Sequence, residues 1–423
     1  MSNGTRPLFF ADHLLVGVVC LVLVSNPSCS GHSASGSASG NVNAKSRAQA
    51  SPSPSLSVSS LTLGDEHGCV LVNGVPKCWG TEGFNALGDG NSSGMSNGAV
   101  VVSGLSSAAS QVSAGYGDTC AVVGGAGMCW GSNYHGQQGN GDTVSGDIVL
   151  TPTVVSGLGS GVTQIASSYG YTCAIVNGGL KCWGSNYWGR LGIGNNTSVA
   201  YGNLATVVAY PSDVVGLTSG VSAISTNIYN ACALSGGNLS CWGFNGFSEL
   251  GQGATSHSSV PVNIGFSATV SSFSAGVLHI CAVEAGILKC LGGNQYGQLG
   301  IGSTDGNSNH STPAAVSSIN SVTQVSAGYG HTCAVSSGVA KCWGSNNYGQ
   351  LGDGTTADKN VPVTVSGLSG EVKSVVASPM RHNRFSCALL ASGSVQCWGS
   401  NAEGQLGFGS SNALTPVQVS GLF

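Results

Sequence analysis

Charge is scarce in this chain: Asp, Glu, Lys and Arg make up 7% of its 423 residues, against about 25% in ordinary soluble proteins. Helix surfaces are built from those residues, so long, ion-paired helices are excluded. Lys and Arg number 12 against 16 acids, a formal net charge of −4. That leaves no basic stripe to displace counterions from phosphates, and excludes a nucleic-acid binder. No apolar run reaches the roughly 20 residues that a membrane-spanning helix needs. Also missing are the nucleophile elbow, H-E-x-x-H, the phosphate loop and the dinucleotide fingerprint. No catalytic residue and no cofactor is therefore assigned.

What is abundant is glycine, with 68 residues, and cysteine, with 16. The first points to many short strands joined by Gly, Ser and Asn turns. The second is too many for a reducing compartment unless the thiols bind metal or do redox chemistry. The eleven-residue apolar run Leu14–Val24 has the length of a signal-peptide core, and residues 1–29 read as a signal peptide. A Ser/Gly/Ala/Pro-rich linker follows over 30–60. Cys29 sits at their junction in a layout resembling bacterial lipoproteins, although Asn26 and Pro27 fit that cleavage site poorly. Lipidation of Cys29 and plain cleavage both stay open. The expected location is secreted or cell envelope, with contact to a membrane only through such a lipid anchor.

From residue 61 onward the chain repeats itself. The sixth copy carries Gly328-Tyr-Gly-His-Thr-Cys-Ala-Val335, then Cys342-Trp-Gly-Ser-Asn346, Tyr348-Gly-Gln-Leu-Gly-Asp-Gly354 and a closing Val365-Ser-Gly-Leu368. Corresponding elements define seven units, approximately 61–105, 106–158, 159–217, 218–266, 267–319, 320–368 and 369–423. Each contains four short β-branched segments, here A to D, and a proline near the start of D, present in all units but the first, suits an edge strand. Four strands per repeat predict an all-β, seven-bladed propeller. One chain closes the ring, so a monomer is expected. Whether D completes its own blade or the next stays open.

Fourteen cysteines fall into seven pairs. Cys69 goes with Cys78, Cys120 with Cys129, Cys173 with Cys182 and Cys232 with Cys241. Cys281 goes with Cys290, Cys333 with Cys342 and Cys387 with Cys397. The midpoints of the first six, such as Asn73-Gly74 and Asn177-Gly178, suit two-residue hairpin turns with positive φ at both centres. Counting outward, the cysteines form the fourth cross-strand pair, a non-hydrogen-bonded one within disulfide reach. The seventh pair is one residue wider, and Ala391-Ser392-Gly393 suits a three-residue loop. Metal sites need closer cysteines or interleaved histidines, so no metal is assigned. The run Ser303–Asn309, faintly like a calcium loop, lacks the glycine and the distal glutamate.

These elements resemble the regulator of chromosome condensation repeat, in a disulfide-containing form of secreted bacterial type. The resemblance covers residues 61–423 and implies a seven-bladed propeller. Family members include a nuclear exchange factor for a small GTPase, a plant ultraviolet-B photoreceptor and secreted inhibitors of β-lactamase. Fold carries over and function does not. Trp79, Trp130, Trp183, Trp242, Trp343 and Trp398 hold one repeat position, which predicts packing between blades; blade five has Leu291 there. His67, His279 and His331 share another position, and are expected to donate to a neighbouring backbone carbonyl.

Alternating strands send the A–B and C–D loops to one face. The aromatic residues there are Phe84, Tyr116, Tyr134, Tyr169, Tyr171, Tyr187, Trp188, Tyr229, Phe247, Tyr296, Tyr329 and Tyr348. Of these the tyrosines and Trp188 are the candidate partner contacts, with Arg381 and Arg384. Twelve of the sixteen acids lie in the same loops, opposed only by Arg190, Lys359, Arg381 and Arg384. Acidic surface with aromatic anchors suits a protein partner, itself unidentified and basic. The function expected is an extracytoplasmic protein-interaction scaffold, not an enzyme. The alternatives are a carbohydrate-active enzyme of unrecognised type, or nucleotide exchange like that of the family's founder.

Overall fold

The computed structural model describes residues 57–81, 83–91, 94–142, 148–195, 207–251, 253, 256–266, 269–304, 309–379 and 384–423. The signal segment with Cys29 and linker residues 30–56 lie outside them, as do Arg381 and the calcium-like Asp305. The last linker residues do not: Val58, Ser59 and Ser60 belong to the propeller as part of its first strand. Seven four-stranded antiparallel sheets follow one another, each with its strands in chain order. Every D strand therefore completes the blade of its own unit; Ala413–Gln418 pairs with Val395–Gly399 and does not cross into blade one. Strand A of blade one spans Val58–Leu63, starting three residues before the repeat boundary because Val58 is buried in the cluster shared with blade seven.

Apolar residues alternate along A and B so that adjoining blades share a core. Trp79, Trp130, Trp183, Trp242, Trp343 and Trp398 are wholly buried. Each indole donates to the preceding blade: Trp130 Nε1 to Ala86 O at 3.1 Å, Trp183 to Gln137 O at 2.8 Å, and around the ring to Trp79 with Gln405 O at 3.0 Å. The glycine two residues after each acceptor explains why Leu-Gly and Cys-Trp recur together. Gly88 has φ +66°, and a Cβ there would lie 2.4 Å from Trp130 Nε1. Only glycine fits both the conformation and the indole.

The hairpins match the cysteine spacing. Asn73 and Gly74 have φ 52° and 77°, and Asn177 and Gly178 have 51° and 79°, as a type I′ turn requires. Paired cysteines stand directly opposite, as in Cys69 with Cys78, with Cα atoms 4.1 Å apart. The expected pairing holds in every blade. Cys69 is bonded to Cys78, Cys120 to Cys129, Cys173 to Cys182 and Cys232 to Cys241. Cys281 is bonded to Cys290, Cys333 to Cys342 and Cys387 to Cys397. All fourteen lie buried between blades.

Six D strands carry a proline three residues before the closing Val or Ile: Pro152, Pro211, Pro261, Pro313, Pro362 and Pro416. Blade one has Ala99 there, and its N–H donates to Ser420 O at 2.8 Å. Ser420 Oγ donates to Asn97 O at 3.0 Å, and Lys77 Nζ reaches Gly421 O at 3.1 Å and Leu422 O at 2.8 Å. At the one seam where no peptide chain joins two blades, the residue that would block a hydrogen bond is replaced by one that makes it.

Candidate interaction face

The residue two places before the first cysteine of each blade begins strand B and turns toward the next blade. In blade one His67 Nε2 lies 3.0 Å from Thr119 Oγ1. That hydroxyl gives its own hydrogen to Ala86 O at 2.7 Å, so the imidazole is the donor. His279 meets Thr332 at 2.7 Å and His331 meets Ser386 at 3.0 Å. Both hydroxyls pass their hydrogens to backbone oxygens of Gln298 and Gln350. The expected partner, a backbone carbonyl, is thus corrected: a hydroxyl stands between ring and carbonyl, because the Thr or Ser of the T-C element reaches the carbonyl first.

Burial lowers His67 to about 4 and His279 and His331 to about 3, so all three are neutral. The other blades use different chemistry at the same place. Asp118 accepts a hydrogen bond from Ser167 Oγ, and burial, only partly offset by that bond, raises its carboxyl well above the usual range. Tyr171 donates to Asn227 O and Asn230 O, 2.7 and 2.8 Å away. In blade four Asn227 Nδ2, hydrogen-bonded to Asn230, also reaches Gly276 O at 2.9 Å. Phe385 is apolar and packs with blade one.

Above this ring lies an aromatic layer. Tyr169, Ile228, Val277 and Leu278 form its buried centre, with Tyr116, Tyr229, Phe247, Tyr296 and Tyr329 packed around them. Two clusters extend outward, each joining a C–D loop to the A–B loop of the next blade. In the first, Phe84 lies edge-on to Tyr134 at 5.4 Å between centroids and 6.2 Å from Tyr116, which lies 4.8 Å from Tyr169. In the second, Trp188 lies 5.2 Å from Tyr229 and 5.3 Å from Phe244, and Phe244 stacks on His257 at 4.8 Å. Phe84 and Trp188 have φ of 62° and 54°. A bulky residue in the left-handed region costs roughly 1–2 kcal/mol, so surrounding packing holds each ring where it is.

Of the residues singled out from sequence, Tyr116, Tyr134, Trp188, Tyr229, Tyr296, Tyr329 and Tyr348 are partly exposed on this face. Four others are not surface groups. Tyr171 is wholly buried at its seam, Tyr187 and Tyr169 are 3% and 7% exposed, and Arg384 is 6% exposed. Arg384 lies over Tyr329 and Tyr296, 4.8 and 5.4 Å from their centroids. Arg190, at 1% exposure, lies over Tyr171 and Tyr187 at 4.7 and 5.5 Å and donates to Ile228 O at 2.6 Å.

The acids divide as well. Asp65, Asp118 and Glu249 are buried, whereas Glu66, Asp89, Asp142, Asp353, Asp358 and Glu403 reach solvent. Burial raises Glu249 to about 8, so it is neutral. It stands where four other repeats have glutamine, and its Oε2 accepts the Phe247 N–H at 2.8 Å as Gln298 Oε1 accepts that of Tyr296. Phe244 and His257 were missed from sequence. The signal for Phe244 was local: it replaces the serine of C-W-G-S-N in C-W-G-F-N. Among the described residues no group of three or more His, Cys, Asp or Glu could hold a metal.

A family profile described as "Regulator of chromosome condensation (RCC1) repeat" matches residues 129–175, 237–283, 290–335 and 342–380, and a second of the same description matches 322–350 and 383–405. The ultraviolet-B receptor UVR8 of Arabidopsis thaliana is 31% identical over 316 residues, covering 73% of this chain and 69% of the receptor. The ubiquitin ligase HERC2 of Homo sapiens is 27% identical over 63% of this chain, but only 5% of the ligase is spanned. Yeast Prp20, solved bound to Kap60, superposes with a TM-score of 0.70 at 20% identity over 86% of this chain and 85% of its own. Human WBSCR16 gives 0.68 at 20% identity, covering 81% and 93%. At that identity the two structures show the fold alone. The molecule is a seven-bladed β-propeller with a disulfide in each blade. It belongs to the regulator of chromosome condensation repeat family.

Proposed function

We propose that this chain is an exported protein-interaction scaffold whose A–B and C–D loop face receives a protein partner. The observation that carries the reading is the pair of surface aromatic clusters, one around Phe84 and Tyr116, the other around Trp188 and Phe244. Aromatic rings held rigid and partly exposed are the usual anchors of protein interfaces. The solvent-reaching acids around them favour a basic partner and faster encounter at low salt. Within the family, Prp20 was solved with a bound protein, Kap60, which supports an interaction role for propellers of this kind. Export rests on the apolar Leu14–Val24 segment and on the bonded cysteines, since disulfides persist in oxidising compartments. Cys29 then marks either a lipid attachment or the end of a cleaved leader, and the mass of the mature N-terminus distinguishes them.

The test is capture of envelope and secreted proteins by the full oxidised chain. Phe84→Ala with Trp188→Ala is expected to lower recovery of a specific partner about tenfold or more, and raised salt to lower it further. Unchanged recovery would sink the reading.

A further inference from the structure

Arginine and tyrosine meet twice in the loop layer, in the same manner. Arg190 lies over Tyr171 and Tyr187, and Arg384 over Tyr329 and Tyr296. In each case a guanidinium supplied by the chain itself spans two rings. The cluster of blades one and two has the rings without the cation. Among the described residues no Arg or Lys lies over Phe84, Tyr116 or Tyr134, all three of which are partly exposed.

Two carboxylates stand there instead. The Asp65 N–H donates to Gly115 O at 3.2 Å, which sets Asp65 and Glu66 against the loop that carries Tyr116. Burial first, then the charges of Asp65 and Glu66, push the Tyr116 hydroxyl well above its usual range. The ring thus stays neutral in a negative field. Aromatic faces beside carboxylates match a guanidinium, whose plane stacks while its N–H groups pair with oxygen.

Building on the scaffold reading above, we infer that Phe84, Tyr116 and Tyr134, with the solvent-reaching Glu66 beside them, form a clamp for an arginine side chain of the partner protein, the buried Asp65 adding only its negative field. It is the intermolecular counterpart of the two clamps that the chain fills itself. Arginine suits it better than lysine, because an ammonium cannot stack and pair in one plane.

The experiment titrates the full oxidised chain, labelled at Phe and Tyr rings, with N-acetylarginine amide and its neutral isostere N-acetylcitrulline amide. Arginine should give saturable ring shifts at Phe84, Tyr116 and Tyr134, with citrulline weaker by about fivefold or more. Glu66→Gln, a mild change at a partly exposed site, should weaken arginine about threefold. Phe84→Leu should abolish the shifts, and if that variant does not fold, Glu66→Gln and the citrulline comparison still decide. Equal binding of citrulline, shifts confined to the Trp188 cluster, or no saturation up to about 100 mM would each overturn the clamp. Failure here with partner capture still sensitive to the aromatic face removes the clamp alone. Failure of both removes the face.

Discussion

Glu249 is the residue whose chemistry departs furthest from its neighbours in sequence. A glutamine at that position needs no proton to stay neutral, but this side chain does. Its pKa is raised from 4.5 to about 8 by burial, so between those values the folded protein keeps a proton that the unfolded chain releases. Stability therefore falls as pH rises from about 4.5 to about 8 and levels off above. Glu249→Gln should remove that slope, stabilising the protein above pH 8 by a few kcal/mol at most, as read by urea denaturation across pH. A parallel slope in both proteins would refute the assignment. The histidines act with opposite sign. His67, His279 and His331 are held at about 4, 3 and 3, so stability is lost as pH falls below 6.5. Neither effect was legible in the sequence. Glu249 stood among acids expected on the surface, and only the packed seam shows that it substitutes for an amide. Tyr171 and Tyr187 misled for the same reason: a tyrosine at a loop edge reads alike whether its ring faces water or an arginine.

At the scale of elements the sequence was far more legible, because hairpin geometry is local. Cysteine spacing and turn residues together dictated the register, and each pair stands opposite as counted, from Cys120 with Cys129 to the wider Cys387 with Cys397. Six of the disulfides close a ten-residue loop and the seventh one residue more, for which chain entropy allows at most about 2.5 kcal/mol. Replacing Cys232 and Cys241 together by alanine should cost about 1–2 kcal/mol, because the turn already restrains the unfolded hairpin. A loss of native circular dichroism at room temperature would contradict this. The assignment of strand D was not local: a repeat cut at either boundary has the same pattern. What decides it is the pairing of Ala413–Gln418 with Val395–Gly399, and Ala99, in the one D strand without the proline, bonds across the seam that this pairing leaves to close. Ala99→Pro should remove the bond to Ser420 and loosen residues 420–423, costing about 1–2 kcal/mol, with hydrogen exchange raised at the blade one to seven seam. Pro152→Ala, at a seam where the chain is continuous, should change little. Equal effects of the two would mean that the closing seam is no different from the rest.

The whole molecule is a ring in which each blade offers its Trp, or Leu291, to the blade before, while the strand-B joint changes chemistry from blade to blade. The shared parts were readable as repetition. The joints were not, because His, Asp, Tyr, Asn and Phe at one position share no pattern, only a task. A rigid ring of this kind is a suitable base for a face whose value lies in holding aromatic rings still. The measurement that tests this account most directly is hydroxyl-radical footprinting of the oxidised chain with and without its captured partner. The account predicts protection at Phe84, Tyr116, Tyr134, Trp188 and Phe244, with none at the hairpin turns of the opposite face. Protection concentrated at the B–C turns, or no protection on either face, would contradict it.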